Sequence, residues 1–212
     1  MTALSPTSPA EAPAALSPHA VRPVNPADYR PALLNVGVIV WLASELMFFS
    51  GLFAAYFTLR AAGTHSHPFR THAEKLDVVS VLIATIVLVL SSFTMQMGVH
   101  RTTKADKTGF LGWLALTFAL GALFDGMQLS DWIGRPFGVD TNAFGSSFYV
   151  LTGVHGLHVA GGLVGMIFVG ARAYKSRRFG RSTVPAVEVL SYYWHFVDVV
   201  WIGLFVAIFL MS

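Results

Sequence analysis

The chain has 212 residues, 54% of them apolar and 12% charged, about half the charged share usual in soluble domains. With a mean hydropathy of +0.61 and 17 Phe it has too little polar surface to face water, and a lipid-facing exterior accounts for the deficit. The formal net charge is only +3, and there is no cysteine; this excludes disulfides, thiolate metal sites and cysteine nucleophiles, and basic residues confined to loops argue against a nucleic-acid surface.

In chain order, residues 1–32 are rich in Pro and Ala and hold no apolar run. That composition predicts a disordered tail rather than a signal peptide, because there is no hydrophobic region for export machinery to bind. A membrane span needs about 20 mostly apolar residues, and five segments meet that need. They run from Leu33 to Leu59, from Val78 to Val99, from Phe110 to Ile133, from Ala143 to Val169 and from Val184 to Met211. The expected fold class is therefore all-α: an integral membrane bundle of five transmembrane helices over residues 33–212, preceded by the tail. The connections are short, Thr64–Lys75 (with three His) being the first of them. Short connections predict that sequential helices lie antiparallel and side by side.

Basic residues set the expected orientation. Arg22, Arg30, Arg101, Lys104, Lys107, Arg172, Lys175, Arg177, Arg178 and Arg181 fall on one side; Arg60, Arg70, Lys75 and Arg135 fall on the other. The richer side marks the cytoplasm, which places the N-terminus there and the C-terminus on the outer side.

Ionisable groups inside a bilayer cost energy and normally face the bundle interior with a partner. Glu45 sits in the middle of the first span, as either a proton-relay carboxylate or a carboxyl group satisfied by a neighbouring helix. His155 and His158 are three residues apart on the fourth span, which puts them on one helix face. The pair suits either metal or haem ligation or hydrogen-bonded packing. Gly156 lies between them; Gly161 and Gly165 form a small-xxx-small spacing that lets another helix come close. His195 and Asp198 repeat the three-residue spacing on the fifth span, where an acid beside an imidazole can fix its tautomer. Gln128 and Asp131 close the third span near the expected membrane surface, Asp125 is deeper, and Glu188 opens the fifth span.

There is no Gly-rich phosphate loop, no nucleophile elbow and no haem-attachment motif. Inverted repeats and broken helices, the marks of many transporters, are also missing. Residues alone thus lead to a five-helix bundle with a buried His and carboxylate network, and leave subunit, enzyme and carrier open. A stand-alone His-ligated metalloprotein is one such alternative.

Five motifs narrow the choice. Trp41-Leu-Ala-Ser-Glu-Leu-Met-Phe-Phe49, Gln128-Leu-Ser-Asp131-Trp132, Gly145-Ser-Ser-Phe-Tyr149, Thr152-Gly-Val-His-Gly-Leu-His158 and Tyr193-Trp-His-Phe-Val-Asp-Val-Val-Trp201 occur in that order. Together they resemble the successive helices of cytochrome c oxidase subunit III, from about Asn35 to the C-terminus. The chain looks like the short bacterial form, similar to actinobacterial versions, which lacks the first two of seven helices. The resemblance implies a non-redox subunit of a proton-pumping terminal oxidase in the bacterial plasma membrane. It implies haem and copper in subunits I and II and none in this chain, direct packing on subunit I, neighbours such as subunit II or a larger respiratory assembly, bound phospholipid, and support of proton uptake and complex stability. Glu45 matches the family's buried glutamate, and His155, His158, His195 and Asp198 match its polar helix contacts. Arg172 matches an arginine suited to a lipid phosphate, and Asp131 stands where the family usually has Glu. A quinol oxidase subunit III remains the alternative within the family.

Overall fold

The computed structural model describes residues 33–63, 69, 77–176, 179 and 183–211. The expected tail, and all of Thr64–Lys75 except Phe69, lie outside them. Among the described residues there are five long helices and no strand: α1 (Leu33–Ala62), α2 (Val78–Thr103), α3 (Lys107–Ile133), α4 (Ala143–Lys175) and α5 (Val184–Phe205), the last running on into a π turn (Val206–Leu210). All five are long and apolar enough to cross a membrane.

Their starts follow local chemistry. Asp77 accepts hydrogen bonds from the N–H groups of Val79 and Ser80, and Asn142 accepts one from Gly145, which satisfies donors the first helical turn leaves unpaired. Pro185 opens α5, where a missing N–H costs nothing. Helix α1 runs on to Ala62 and α3 starts at Lys107, and the longest extensions beyond the apolar stretches are those of α2, past Val99 to Thr103, and α4, past Val169 to Lys175. Their last turns carry His100 and Arg101, and Arg172 and Lys175, cations that complement the negative end of the helix dipole. The α2–α3 turn is tight. Ala105 N–H bonds to Thr102 C=O and Asp106 N–H to Arg101 C=O, both at 3.0 Å. This is a Schellman closure with Ala105, at φ 56°, in the left-handed seat that glycine usually takes.

Helices α2, α3, α4 and α5 form a ring in which each packs on two others, and α1 lies outside it against α4 and α5. Side-by-side order thus holds from α2 onward. It fails at the first step, because α1 makes its main contacts with the two helices farthest from it in sequence. The reason lies in what each surface offers: α1 buries only Phe49 and Tyr56 among its described side chains; Phe49 packs on His158 of α4 and Phe196 of α5, and Tyr56 reaches the π turn that follows α5.

The ring closes around α5. Trp194 donates its indole N–H to Ser91 Oγ on α2 at 2.9 Å. Its ring presses so closely on α3 and α4 that a Cβ on Gly121 or Gly162 would fall 2.6 or 2.7 Å from it. Two turns on, Trp201 donates to Thr85 Oγ1 at 2.9 Å and packs edge-on to Phe124, with ring centroids 4.8 Å apart. At the end carrying the α2–α3 turn, Lys107 Nζ bonds to Tyr174 C=O at 2.5 Å and Ser176 C=O at 3.3 Å, covering the last carbonyls of α4. At the opposite end the Tyr56 hydroxyl donates to Ala207 C=O at 3.3 Å in the π turn, and the Arg60 guanidinium donates to Met211 C=O.

Candidate functional site

Polar groups inside the spans gather at three helix seams. The first joins α1, α4 and α5. Glu45 Oε2 lies 3.2 Å from His158 Nε2, and His158 Nδ1 lies 2.8 Å from the Val154 carbonyl one turn back. A carbonyl can only accept, so Nδ1 carries a hydrogen and the tautomer is set. Two arrangements then fit the Nε2 contact: a protonated Glu45 donating to a neutral imidazole, or an imidazolium donating to a carboxylate. Either way the pair shares one proton. The backbone C=O of His158 accepts the Tyr193 hydroxyl at 2.7 Å, and the Tyr193 ring stacks on Trp41 at 5.4 Å and 12°. Phe49 meets the imidazole edge-on, centroids 5.0 Å apart. The clamp is partly shielded, its two side chains retaining 18% and 22% exposure.

The second seam joins α2 and α5. An Asp one turn from a His suggests direct pairing of His195 with Asp198, but here Ser92 stands between them. Ser92 Oγ is 3.0 Å from His195 Nδ1 and donates to Asp198 Oδ2. A hydroxyl has one hydrogen, so donation to Asp198 leaves Ser92 to accept from the imidazole N–H. The result is a directional chain from His195 through Ser92 to Asp198. Asp198 Oδ1 is buried and has no hydrogen-bond partner among the described residues. Ser92 was not singled out from the sequence. Its signal was there in Ser91-Ser92, a hydroxyl pair in the middle of an otherwise apolar span: Ser91 receives Trp194 and Ser92 bridges the acid and the imidazole.

The third seam lies between α3 and α4. Gln128 Nε2 donates to Thr152 C=O at 2.8 Å. Gln128, Asp131 and Trp132 line a cavity of about 230 Å³ together with Ser80, Thr152 and Trp201. Gln128 Oε1 and the Trp132 indole N–H have no hydrogen-bond partner among the described residues. Asp131 accepts from Arg135 Nε at 3.0 Å and Nη2 at 2.5 Å. The Arg135 side chain is only 4% exposed, and its guanidinium sits 4.8 Å from the Phe148 ring centre. Asp131 is therefore a paired acid at the end of α3.

The two histidines of α4 part company. His158 faces α1, whereas His155 is fully buried, with neither ring nitrogen hydrogen-bonded among the described residues. His155 packs between Trp201 at 4.9 Å and Phe124 at 6.1 Å. A three-residue spacing leaves about 60° between side chains at 3.6 residues per turn, enough to divide them between two seams. His155, His158 and His195 thus point at three different surroundings and do not converge on one point. Among the described residues no group of three or more His, Asp or Glu is placed to hold a metal ion.

The glycines singled out from the sequence lie at close approaches. A Cβ on Gly161 would fall 3.3 Å from the Tyr193 hydroxyl, one on Gly165 3.1 Å from Leu190, and one on Gly156 3.4 Å from Asp125. Tighter still are Gly121 and Gly162 against Trp194. Arg172 is exposed in the last turn of α4 and makes no ion pair among the described residues; Glu188 is half-buried early in α5.

Comparison with known proteins shows the family of the chain. The family model described as cytochrome c oxidase subunit III matches residues 30–212. A probable cytochrome c oxidase subunit 3 of Nocardia farcinica is 44% identical over 183 residues, covering 85% of this chain and 89% of that one. The cytochrome c oxidase subunit 3 of Corynebacterium diphtheriae is 42% identical, covering 86% and 90% of the two chains. That of Synechocystis is 37% identical, covering 85% and 77%.

Proposed function

The chain belongs to the cytochrome c oxidase subunit III family, and from that premise we propose that it is the non-redox subunit of a proton-pumping terminal oxidase, packed on subunit I, with haem and copper carried by subunits I and II. The observation that carries the reading is the Glu45–His158 contact. It joins two costly groups inside the span region around a single shared proton, and it also fastens α1 to the rest of the bundle. A proton-holding pair with partial exposure suits a subunit that supports proton uptake by its neighbour. The scattered imidazoles suit a chain that leaves electron transfer to others.

Arg172, exposed at the basic end of α4, is a seat for a phospholipid phosphate. Gly156, Gly161 and Gly165 keep α4 close to α3 and α5. Ser92, His195 and Asp198 form a second polar seam that fixes α5 on α2. The complex sits in a bacterial plasma membrane with the N-terminal, Arg- and Lys-rich side in the cytoplasm.

Glu45→Gln tests the central element. Its amide N–H donates to His158 Nε2, so the clamp survives while the exchangeable proton is lost. The purified variant complex is expected to keep its haem spectrum and to show slower proton uptake or a shorter working lifetime during turnover. Loss of the haem spectrum, or turnover and proton uptake identical to the parent, contradicts the proposal.

A further inference from the structure

Asp125 is an ionisable group inside the spans that has no hydrogen-bonding partner among the described residues. Asp125 lies in the last third of α3, 8 residues before its end at Ile133, roughly 12 Å at ~1.5 Å per residue, and so inside the hydrocarbon depth. Its carboxyl is half-buried and makes no hydrogen bond or ion pair among the described residues. It faces an outward groove of about 660 Å³ between α3 and α4. The floor of the groove is built of small residues, Gly126, Gly153, Gly156 and Ala160 among them. Its walls include Leu129 and Leu157, which are 56% and 73% exposed.

A lone carboxyl group in hydrocarbon is costly and calls for a donor. No donor among the described residues supplies it: Gln128, one turn away, gives one amide N–H to Thr152 and makes no hydrogen bond to Asp125. An acyl chain has no donor to give, and lipid headgroups lie at the surface rather than at this depth. A transmembrane helix supplies both what the groove accommodates and what the acid lacks, because a small-residue floor admits a helix backbone closely and its side chain reaches the carboxyl.

We propose that the groove between α3 and α4 seats a transmembrane helix of a partner chain, and that this helix presents a hydroxyl, amide or cationic side chain to Asp125. The inference rests on the reading of the chain as an oxidase subunit and names the face it docks with.

The test uses the full chain in its native membrane with a photo-crosslinking residue at position 157, and a control at position 93 on the exposed face of α2. Position 157 is expected to label one partner polypeptide, at a peptide containing a donor residue, while position 93 labels lipid. Asp125→Leu is expected to lower co-purification of that partner about three- to twentyfold, the range of one interhelical hydrogen bond; Asp125→Asn, which still accepts a hydrogen bond, loses less. Labelling of lipid alone or of a second copy of this chain at position 157 overturns the inference, as does parental co-purification by the Leu variant. If the unaltered chain still brings down a haem-bearing partner in those cases, the oxidase reading stands and only the docking face is wrong; if it brings down none, both fall.

Discussion

Helices α1 and α5 have the same mean hydropathy, 1.9 over their most apolar windows, yet 56% of the α5 window is buried within the chain and 6% of the α1 window. Apolar composition therefore does not decide which span becomes the core. Shape does: α5 carries Trp194 and Trp201, whose indole N–H groups find hydroxyls on α2; the Trp194 ring fills the gaps left by Gly121 on α3 and Gly162 on α4, and the Trp201 ring packs on Phe124 and His155. Helix α1 shows lipid or a partner most of its surface, including Met47 at 76% exposure. It is held by a few directed contacts: Glu45 to His158, Trp41 on Tyr193, and Tyr56 to Ala207. The ring is a packed core, and α1 is a strap fastened by polar links.

If that contrast is right, the largest effect belongs to Trp194→Ala, which removes a central ring and the partner of Ser91. It should cost about 3–5 kcal/mol in thermal unfolding of the detergent-solubilised chain. Met47→Ala on the exposed face of α1 should stay within about 0.5 kcal/mol. Equal losses from the two would erase the distinction. Next in size, Gly162→Ala or Gly121→Ala forces a methyl group against the Trp194 ring and should cost about 1–3 kcal/mol by overpacking. The same exchange at Gly51 on α1, where a Cβ meets nothing within 4 Å, should be harmless.

The strap is probed more gently. Glu45→Leu removes the link to His158 and should raise hydrogen exchange across α1 by the equivalent of about 0.5–1.5 kcal/mol, leaving α5 unchanged; Glu45→Gln should leave both near the parent. At the α2–α3 turn, Ala105→Gly relieves a left-handed alanine and should raise thermal stability by roughly 0.5–1 kcal/mol, a gain independent of α1.

The smallest effect concerns pH. The Ser80 hydroxyl, then the Ser80 and Val79 backbone N–H groups, hold the Asp77 carboxyl below its ordinary 3.8. Its contribution to anchoring α2 is thus fully present above that value and fades as pH falls through the lowered one. An acid titration of stability should show a slight decline there that Asp77→Asn flattens, with the exchange of α1 unaffected.

Much of this was legible in the sequence because bilayer physics writes in long runs. Five apolar stretches gave five helices, and the polar residues interrupting them, Glu45, Gln128, His158, His195 and Asp198, lie at helix seams. What escaped was pairing between helices. Nothing in the spacing of His155 and His158 says that one meets α1 and the other two aromatic rings, since a 60° separation becomes decisive only once neighbours are in place. Ser92 was hidden because a serine is cheap in a span and gains importance only from what faces it. The position of α1 was hidden for the same reason: connection length predicts a neighbour in sequence, whereas the seam that accepts Phe49 lies between α4 and α5.

The chain is expected to work inside an oxidase rather than alone. Affinity capture of the tagged full chain from its native membrane in mild detergent, followed by an absorption spectrum and mass spectrometry, addresses that directly. The expected result is a haem-bearing assembly containing the two redox subunits together with this chain. Recovery of the chain free of haem and of those subunits, under conditions that preserve other membrane complexes, would contradict it.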